Sequence, residues 1–164
     1  MEWYSWLVLA HVIGGFGFVL GHGVSAHVAI QLRQERDPAR VAALLDLSGL
    51  SLATLYVSLL VLLAAGIAAA FVGDHWGRLW IWAAIGILVV LLAFMYAVAS
   101  PYYAELRRGV GQRAYGDKKE DPPPAPLDAG ALAAKLDSAR PYWLAAVGSI
   151  GLAAIIWLMV MKPF

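Results

Sequence analysis

The hydrophobic positions of this chain fall in four long runs rather than in alternation or in short amphipathic blocks. The runs cover residues 5–30, 41–72, 79–103 and 142–161. Each supplies the ~20 apolar residues an α-helix needs to cross a bilayer. The pattern predicts an all-α polytopic membrane protein, a four-helix transmembrane bundle forming one membrane domain over residues 1–164. The second run exceeds the ~30 Å hydrocarbon core and must tilt or project beyond it. Its leading "DPAR" fits projection, with Asp37 as N-cap and Pro38 as first helical residue.

Composition agrees with this pattern. The chain is 62% hydrophobic and 14% charged, with a mean hydropathy of +0.71; a soluble domain is nearer ~45–50% apolar and ~25% charged. The opening "MEWYSW" lacks a positive n-region, so the first run reads as a retained span. Charge placement then sets orientation. Arg33, Arg36 and Arg40 lie in the first loop, and Arg107, Arg108, Arg113, Lys118, Lys119, Lys135 and Arg140 lie in the third, residues 104–141. Together these are ten of the twelve basic residues, leaving Arg78 and Lys162 on the other side. The positive-inside rule places both basic loops in the cytoplasm and both termini outside. Trp3, Trp6, Trp76, Trp80 and Trp157 fit an outer aromatic belt, and Trp143, Tyr102 and Tyr103 an inner one. The few basic residues sit beside the spans, which argues against nucleic acid as a partner. The bilayer is the expected partner, with a homo-oligomer or a larger membrane complex beyond it.

Within the third loop, "GDKKEDPPPAP" predicts an extended or mobile segment. Leu127, Leu132 and Leu136 follow at roughly helical spacing. Two readings are open for them: a short amphipathic helix on the inner membrane surface, or a solvated linker.

Candidate chemistry is concentrated in the first span. Residues 9–30 carry three of the four histidines and five glycines. At ~100° per residue, the step from His11 to His22 overshoots three turns by only ~20°, so the two share a face, ~16 Å apart along the axis. Gly14 and Phe18 lie near that stripe. Beside it runs a ladder of small residues, Gly17, Gly21, Ser25 and Ala29, which predicts close helix packing. His27 is rotated ~140° from His22 and reads as an interfacial residue. His75, in "GDHWGR", reads as a solvated turn residue. His22 has either a hydrogen-bonding role against a neighbouring helix or a ligand role. His11 lies deeper, where an ionisable group raises a functional hypothesis by default.

Neutral imidazole is a common intramembrane ligand for haem iron, and Gly14, Gly15, Gly21 and Gly23 would leave room for a flat macrocycle. No histidine lies in spans two, three or four, so a second axial ligand would come from Met95, from His75 or from a second copy. Absent cysteines exclude thiolate sites and Cys-linked haem. Asp46 is the only acid in the second span and is expected to pair with Arg33, Arg36 or Arg40. Ser51, Thr54 and Ser58 form one polar stripe, expected to make interhelical hydrogen bonds. Ser100-Pro101 predicts a kink or a helix end. No nucleophile elbow and no transporter-like helix break are present.

The segments "LAHVIGGFGF", "RQERDPARVAALL" and "WLMVMKPF" resemble a bacterial four-span integral membrane protein family of unknown function. More distantly, the chain is similar to copper-resistance D-type and HemJ-type membrane proteins. In those, a histidine in an early span followed by small residues is associated with b-type haem. The resemblance thus implies haem ligation at His11, next to Gly14 and Gly15. HemJ-type enzymes also use an intramembrane lysine, and no lysine lies in any of the four runs here. Copper-resistance D-type proteins normally have more spans and His- or Met-rich outer segments. Two functional classes follow. One is a small membrane protein binding haem b in a redox or electron-transfer role, with His11 and His22 as metal ligands and Gly14, Gly15 and Met95 around the cofactor. The other is a non-catalytic membrane subunit or scaffold that packs against other membrane proteins.

Overall fold

The computed structural model describes residues 2–164. It contains five helices: α1 Glu2–Leu32, α2 Pro38–Val72, α3 Leu79–Gly109, α4 Ala129–Leu136 and α5 Arg140–Met161. No strand occurs among the described residues. Four segments are long and apolar enough to cross a membrane; α1, α2 and α3 provide three and α5 the apolar part of the fourth.

The helices outrun their apolar cores, most of all at the basic end. α3 does not stop at Pro101 but continues to Gly109. α2 begins where its capping chemistry says it should. The Asp37 side chain accepts a hydrogen bond from the Ala39 amide at 3.0 Å, and Pro38 occupies the first turn, where its missing N–H costs nothing.

Two helix pairs build the molecule. α1 lies along α2 through most of its length, and α3 lies along α5; α1 also touches α5, whereas α2 and α3 make few contacts. The α1–α2 seam is made by glycines. A Cβ on Gly14 would sit 2.6 Å from the Leu62 amide nitrogen, and one on Gly21 would sit 3.1 Å from the Leu55 nitrogen. At Gly17 the space is taken by the Ser58 hydroxyl. Ser25 continues the row through a 3.2 Å hydrogen bond to the Ser48 hydroxyl, and Ala29 is buried at its end. The predicted ladder is therefore used within the chain, and it extends one step further, to Gly14.

The best-packed core lies at the basic end. There Val28, Leu32, Val41, Leu45, Tyr102 and Leu106 meet Leu132 and Leu136 of α4. Of the two readings for this segment, the helix is the one observed, with Asp128 as N-cap accepting from the Ala131 amide at 2.8 Å. Its leucines face protein: Leu132 and Leu136 are buried, and the Leu127 amide donates to the Gly109 carbonyl at 2.9 Å. Residues 122–128 run without helix, as the prolines predict. At the opposite end, Ala70, Trp80, Ile81, Ala84 and Leu158 form a smaller core. Two residues assigned to aromatic belts are thus core residues instead, since Trp80 and Tyr102 are 7% and 2% exposed. Trp3, Trp6, Trp143 and Trp157 remain exposed, as a belt requires.

The basic loops are tied by ion pairs. Asp46 pairs with Arg107 at 3.0 Å and accepts from Gln112, so its partner comes from α3 and not from the first loop. The first-loop arginines go elsewhere: Arg36 to Asp137, Arg40 to Glu35 and Asp37, and Arg33 to the Ser138 carbonyl. Asp117 closes the turn after α3 by accepting from the Ala114 amide at 2.8 Å and from Arg108. The Arg108 guanidinium, and then that amide, hold its carboxyl below the ordinary value of 3.8.

Two outcomes follow. Gly14→Ala should destabilise the protein by about 1–3 kcal/mol, because its methyl meets backbone that cannot swing away. Gly23→Ala, with nothing within 4 Å, should leave stability unchanged or raised. Equilibrium unfolding in mixed micelles compares them, and equal losses would contradict the seam. For the loop, the folded carboxyl of Asp117 titrates lower than the unfolded one. Its contribution is therefore complete above pH 3.8 and is lost as the pH falls through the folded value. At neutral pH, Asp117→Ala should accelerate hydrogen exchange at the Ala114 amide; an unchanged rate would contradict the turn assignment.

Candidate cofactor site on the histidine helix

α1 carries His11 and His22 on one side, as its periodicity requires, but their surroundings differ. The glycine seam brings α2 close enough for His11 Nδ1 to donate a 2.8 Å hydrogen bond to the Leu62 carbonyl. A helical carbonyl can only accept, so this bond fixes the neutral ring as the Nδ1–H tautomer. The ring lies over Gly66 of α2, where a Cβ would be 2.6 Å from Nδ1 and 2.8 Å from Cε1.

His22 turns to the other helix pair. Its imidazole lies against Gly148 of α5, and Met95 Cε of α3 approaches the same glycine, 2.9 Å from where a Cβ would stand. His22 Nε2 is buried and has no hydrogen-bond partner. His22 and Met95 share a cavity of ≈ 30 Å³ with Phe18, Leu88, Leu91 and Leu152. That is space on the scale of a single water, whereas small-molecule sites run to roughly 300–1,000 Å³.

The structure thus brings His22 and Met95 together and keeps His11 apart. Gly14 and Gly15 both face Leu62, Gly14 against its backbone, while a Cβ on Gly15 would stand 3.5 Å from its Cδ1. The room expected beside His11 for a macrocycle is therefore filled by α2. As packed, the bundle interior does not fit a haem between these residues. One feature does suit a ligand: His11 Nδ1 is anchored on a carbonyl, an arrangement that commonly orients a ligating imidazole, and Nε2 makes no hydrogen bond. No group of three or more metal-binding His, Asp or Glu side chains occurs among the described residues.

Several of the remaining polar residues have structural partners. His75 does not reach His11. Its Nε2 is hydrogen-bonded to Tyr4 Oη at 3.1 Å, and its ring stacks at a tilt with Trp80 at 6.1 Å, which fixes the α2–α3 turn to the start of α1. His27 is exposed. In the serine stripe, Ser51 donates to the Ser48 carbonyl of its own helix, and the interhelical bond belongs to Ser48. Tyr103 adds a second crossing, its hydroxyl donating to the Ser25 carbonyl at 3.1 Å.

Sequence reasoning missed Gly66 and Gly148, the residues that seat the two imidazoles. The available signal was the concentration of small residues in "LAAGIAAA" and "VGSIGLAA". Compared with known protein families, curated proteins and solved structures, the chain matches none.

If Gly66 exists to seat His11, the two positions must be energetically coupled. Gly66→Ala should destabilise the wild-type chain, and the double variant with His11→Ala should be more stable than the two single losses added. A coupling of about 0.5–3 kcal/mol is the expected range for residues in contact. Strict additivity in a double-mutant cycle would contradict the seating. The same test applies to Gly148 and His22.

Proposed function

We propose that this chain is a non-catalytic membrane subunit, inserted with both termini outside and its basic loops in the cytoplasm of a bacterial inner membrane. The observation that carries this reading is the seating of each intramembrane imidazole over a glycine of a neighbouring helix. Such histidines act as interhelical wedges, which uses them for packing before any ligand is invoked. The outward faces support the same reading. Only 11–17% of the residues in each span's apolar window are buried within the chain. The exposed remainder must meet lipid or other membrane proteins. Residues Trp3, Trp6, Phe16 and Leu20 make one such face on α1, and Val89, Val90 and Tyr96 another on α3.

Haem b ligation in a redox role is the second reading, and it rests on the free Nε2 of His11 beyond its carbonyl-anchored Nδ1. Since α2 fills the interior side, a haem held there would sit at an interface between copies or subunits. The protein would supply one axial imidazole and its fixed tautomer, and the group would supply one-electron chemistry.

Purification from a haem-supplied host in mild detergent, with oxidised and dithionite-reduced absorption spectra, separates the two. For a packing subunit we expect a featureless visible spectrum and, with in-membrane crosslinking through the exposed α1 or α3 face, a discrete higher-mass species. A stoichiometric Soret band lost in His11→Ala would overturn the first reading in favour of the second. A colourless chain that also crosslinks to nothing would overturn both.

A further inference from the structure

A second cavity lies away from the histidines, at the basic end between α3, α4 and α5, with a volume of ≈ 190 Å³. Its polar lining is Tyr102 and Glu105 of α3, Lys135 of α4, Ser138 of the connection and Arg140 of α5. Three features converge on it. The Tyr102 side chain is only 2% exposed, yet its hydroxyl has no hydrogen-bond partner, a costly state for a buried donor. Lys135 Nζ and Arg140 Nη1 both lean on the one Glu105 carboxylate, at 3.3 and 4.0 Å, so two cations share one anion. Finally, α5 begins here with Ala139 at its N-cap and no side-chain cap; only the Ser138 hydroxyl reaches back, accepting from the Arg140 amide at 3.2 Å. The first amides of this 22-residue helix are engaged locally, Arg140 by the Ser138 hydroxyl and Tyr142 by the Ala139 carbonyl at 3.1 Å. Its N-terminus therefore adds only the partial positive charge of the helix dipole beside an already electropositive cavity.

The geometry points to a binding site for the phosphodiester of an anionic phospholipid headgroup. Net positive charge, an unpartnered hydroxyl donor and the positive end of a helix dipole together suit an anion with several acceptor oxygens. A soluble phosphate ester has the same chemistry, but the setting favours lipid. Tyr142 and Trp143, on the first turn of α5, are 52% and 68% exposed, as interfacial anchors are. Tyr102 and Arg140 flank the ends of the apolar runs of α3 and α5, where headgroups would lie. Basic pockets between helix ends are a recurrent form of lipid-headgroup recognition. Nearby charge does not cancel the site. Arg36 neutralises Asp137, and Arg33 adds a further cation, held by the Ser138 carbonyl and over the Tyr142 ring at 4.6 Å. This inference rests on the chain's being membrane-embedded, but not on either role for the histidines.

The full chain would be placed in nanodiscs or detergent with equal amounts of phosphatidylglycerol and phosphatidylcholine, and the retained lipid counted by native mass spectrometry. We expect preferential retention of phosphatidylglycerol, reduced about fivefold by Lys135→Gln and again by Arg140→Gln, and weakened by high salt. Glu105→Gln, which removes the competing anion, should strengthen retention. Tyr102→Phe guards against misfolding: it should leave the lipid-free protein at least as stable, because no bond is lost, yet lower its stabilisation by phosphatidylglycerol. Equal retention of the two lipids would overturn the site, as would a preference unchanged in the Lys135→Gln, Arg140→Gln double variant. Displacement of the lipid by millimolar inorganic phosphate would overturn the lipid assignment in favour of a free anion. A chain that never enters nanodiscs overturns the membrane reading and this inference together; one that enters without lipid preference overturns this inference alone.

Discussion

The close approach of α1 to α2 is the constraint on which the rest of the molecule depends. Between helices in lipid there is no hydrophobic gain to be made, so association has to come from dense packing and interhelical hydrogen bonds. Gly14, Gly17 and Gly21 remove the side chains that would hold the backbones apart, and Leu62, Ser58 and Leu55 occupy the space. Only at that separation can His11 reach the Leu62 carbonyl and Ser25 reach Ser48. With α2 fixed on one side, the adjoining side of α1 is presented to the second pair, where Phe18 and His22 enter between α3 and α5. The order of assembly in space follows from residue size more than from polarity.

Polar groups then mark where the apolar logic ends. Mid-helix, they are few and mostly paired across helices: His11 with Leu62, Ser25 with Ser48, Tyr103 with Ser25. His22 Nε2 is unpaired, buried beside a cavity too small for anything but a water-sized guest. At the basic end the balance reverses. A compact core of leucines, valines and Tyr102 is ringed by Arg36–Asp137, Arg107–Asp46 and Arg108–Asp117 pairs. Exposed pairs of this kind contribute little individually. Their effect is to position loops, and through α4 they define the electropositive cavity beneath α5.

Much of the fold was legible because hydropathy and capping are local properties. The four apolar runs, the Asp37-Pro38 start and the small-residue ladder can all be read without knowing any neighbour. Partner choice is not local. Asp46 has three arginines close in sequence, yet it pairs with Arg107, which the α3 extension past Pro101 brings alongside. The surroundings of His11 were not legible for a related reason. Glycine beside a histidine in sequence suggests space for a cofactor, but Gly14 and Gly15 face Leu62, and the glycines that accommodate imidazole are on α2 and α5. Helical periodicity locates a face on one helix and says nothing of which helix fills it.

The central claim is that the His11 and His22 imidazoles of α1 are held between helices, as packing and hydrogen-bonding groups. Nitrogen-15 NMR of histidine-labelled protein in lipid tests it most directly, because it reads protonation and coordination at each ring nitrogen. For His11 we expect Nδ1 to carry a proton hydrogen-bonded to the Leu62 carbonyl, with an uncoordinated Nε2. A metal-shifted or paramagnetically broadened Nε2, or a ring averaging freely between tautomers, would contradict it.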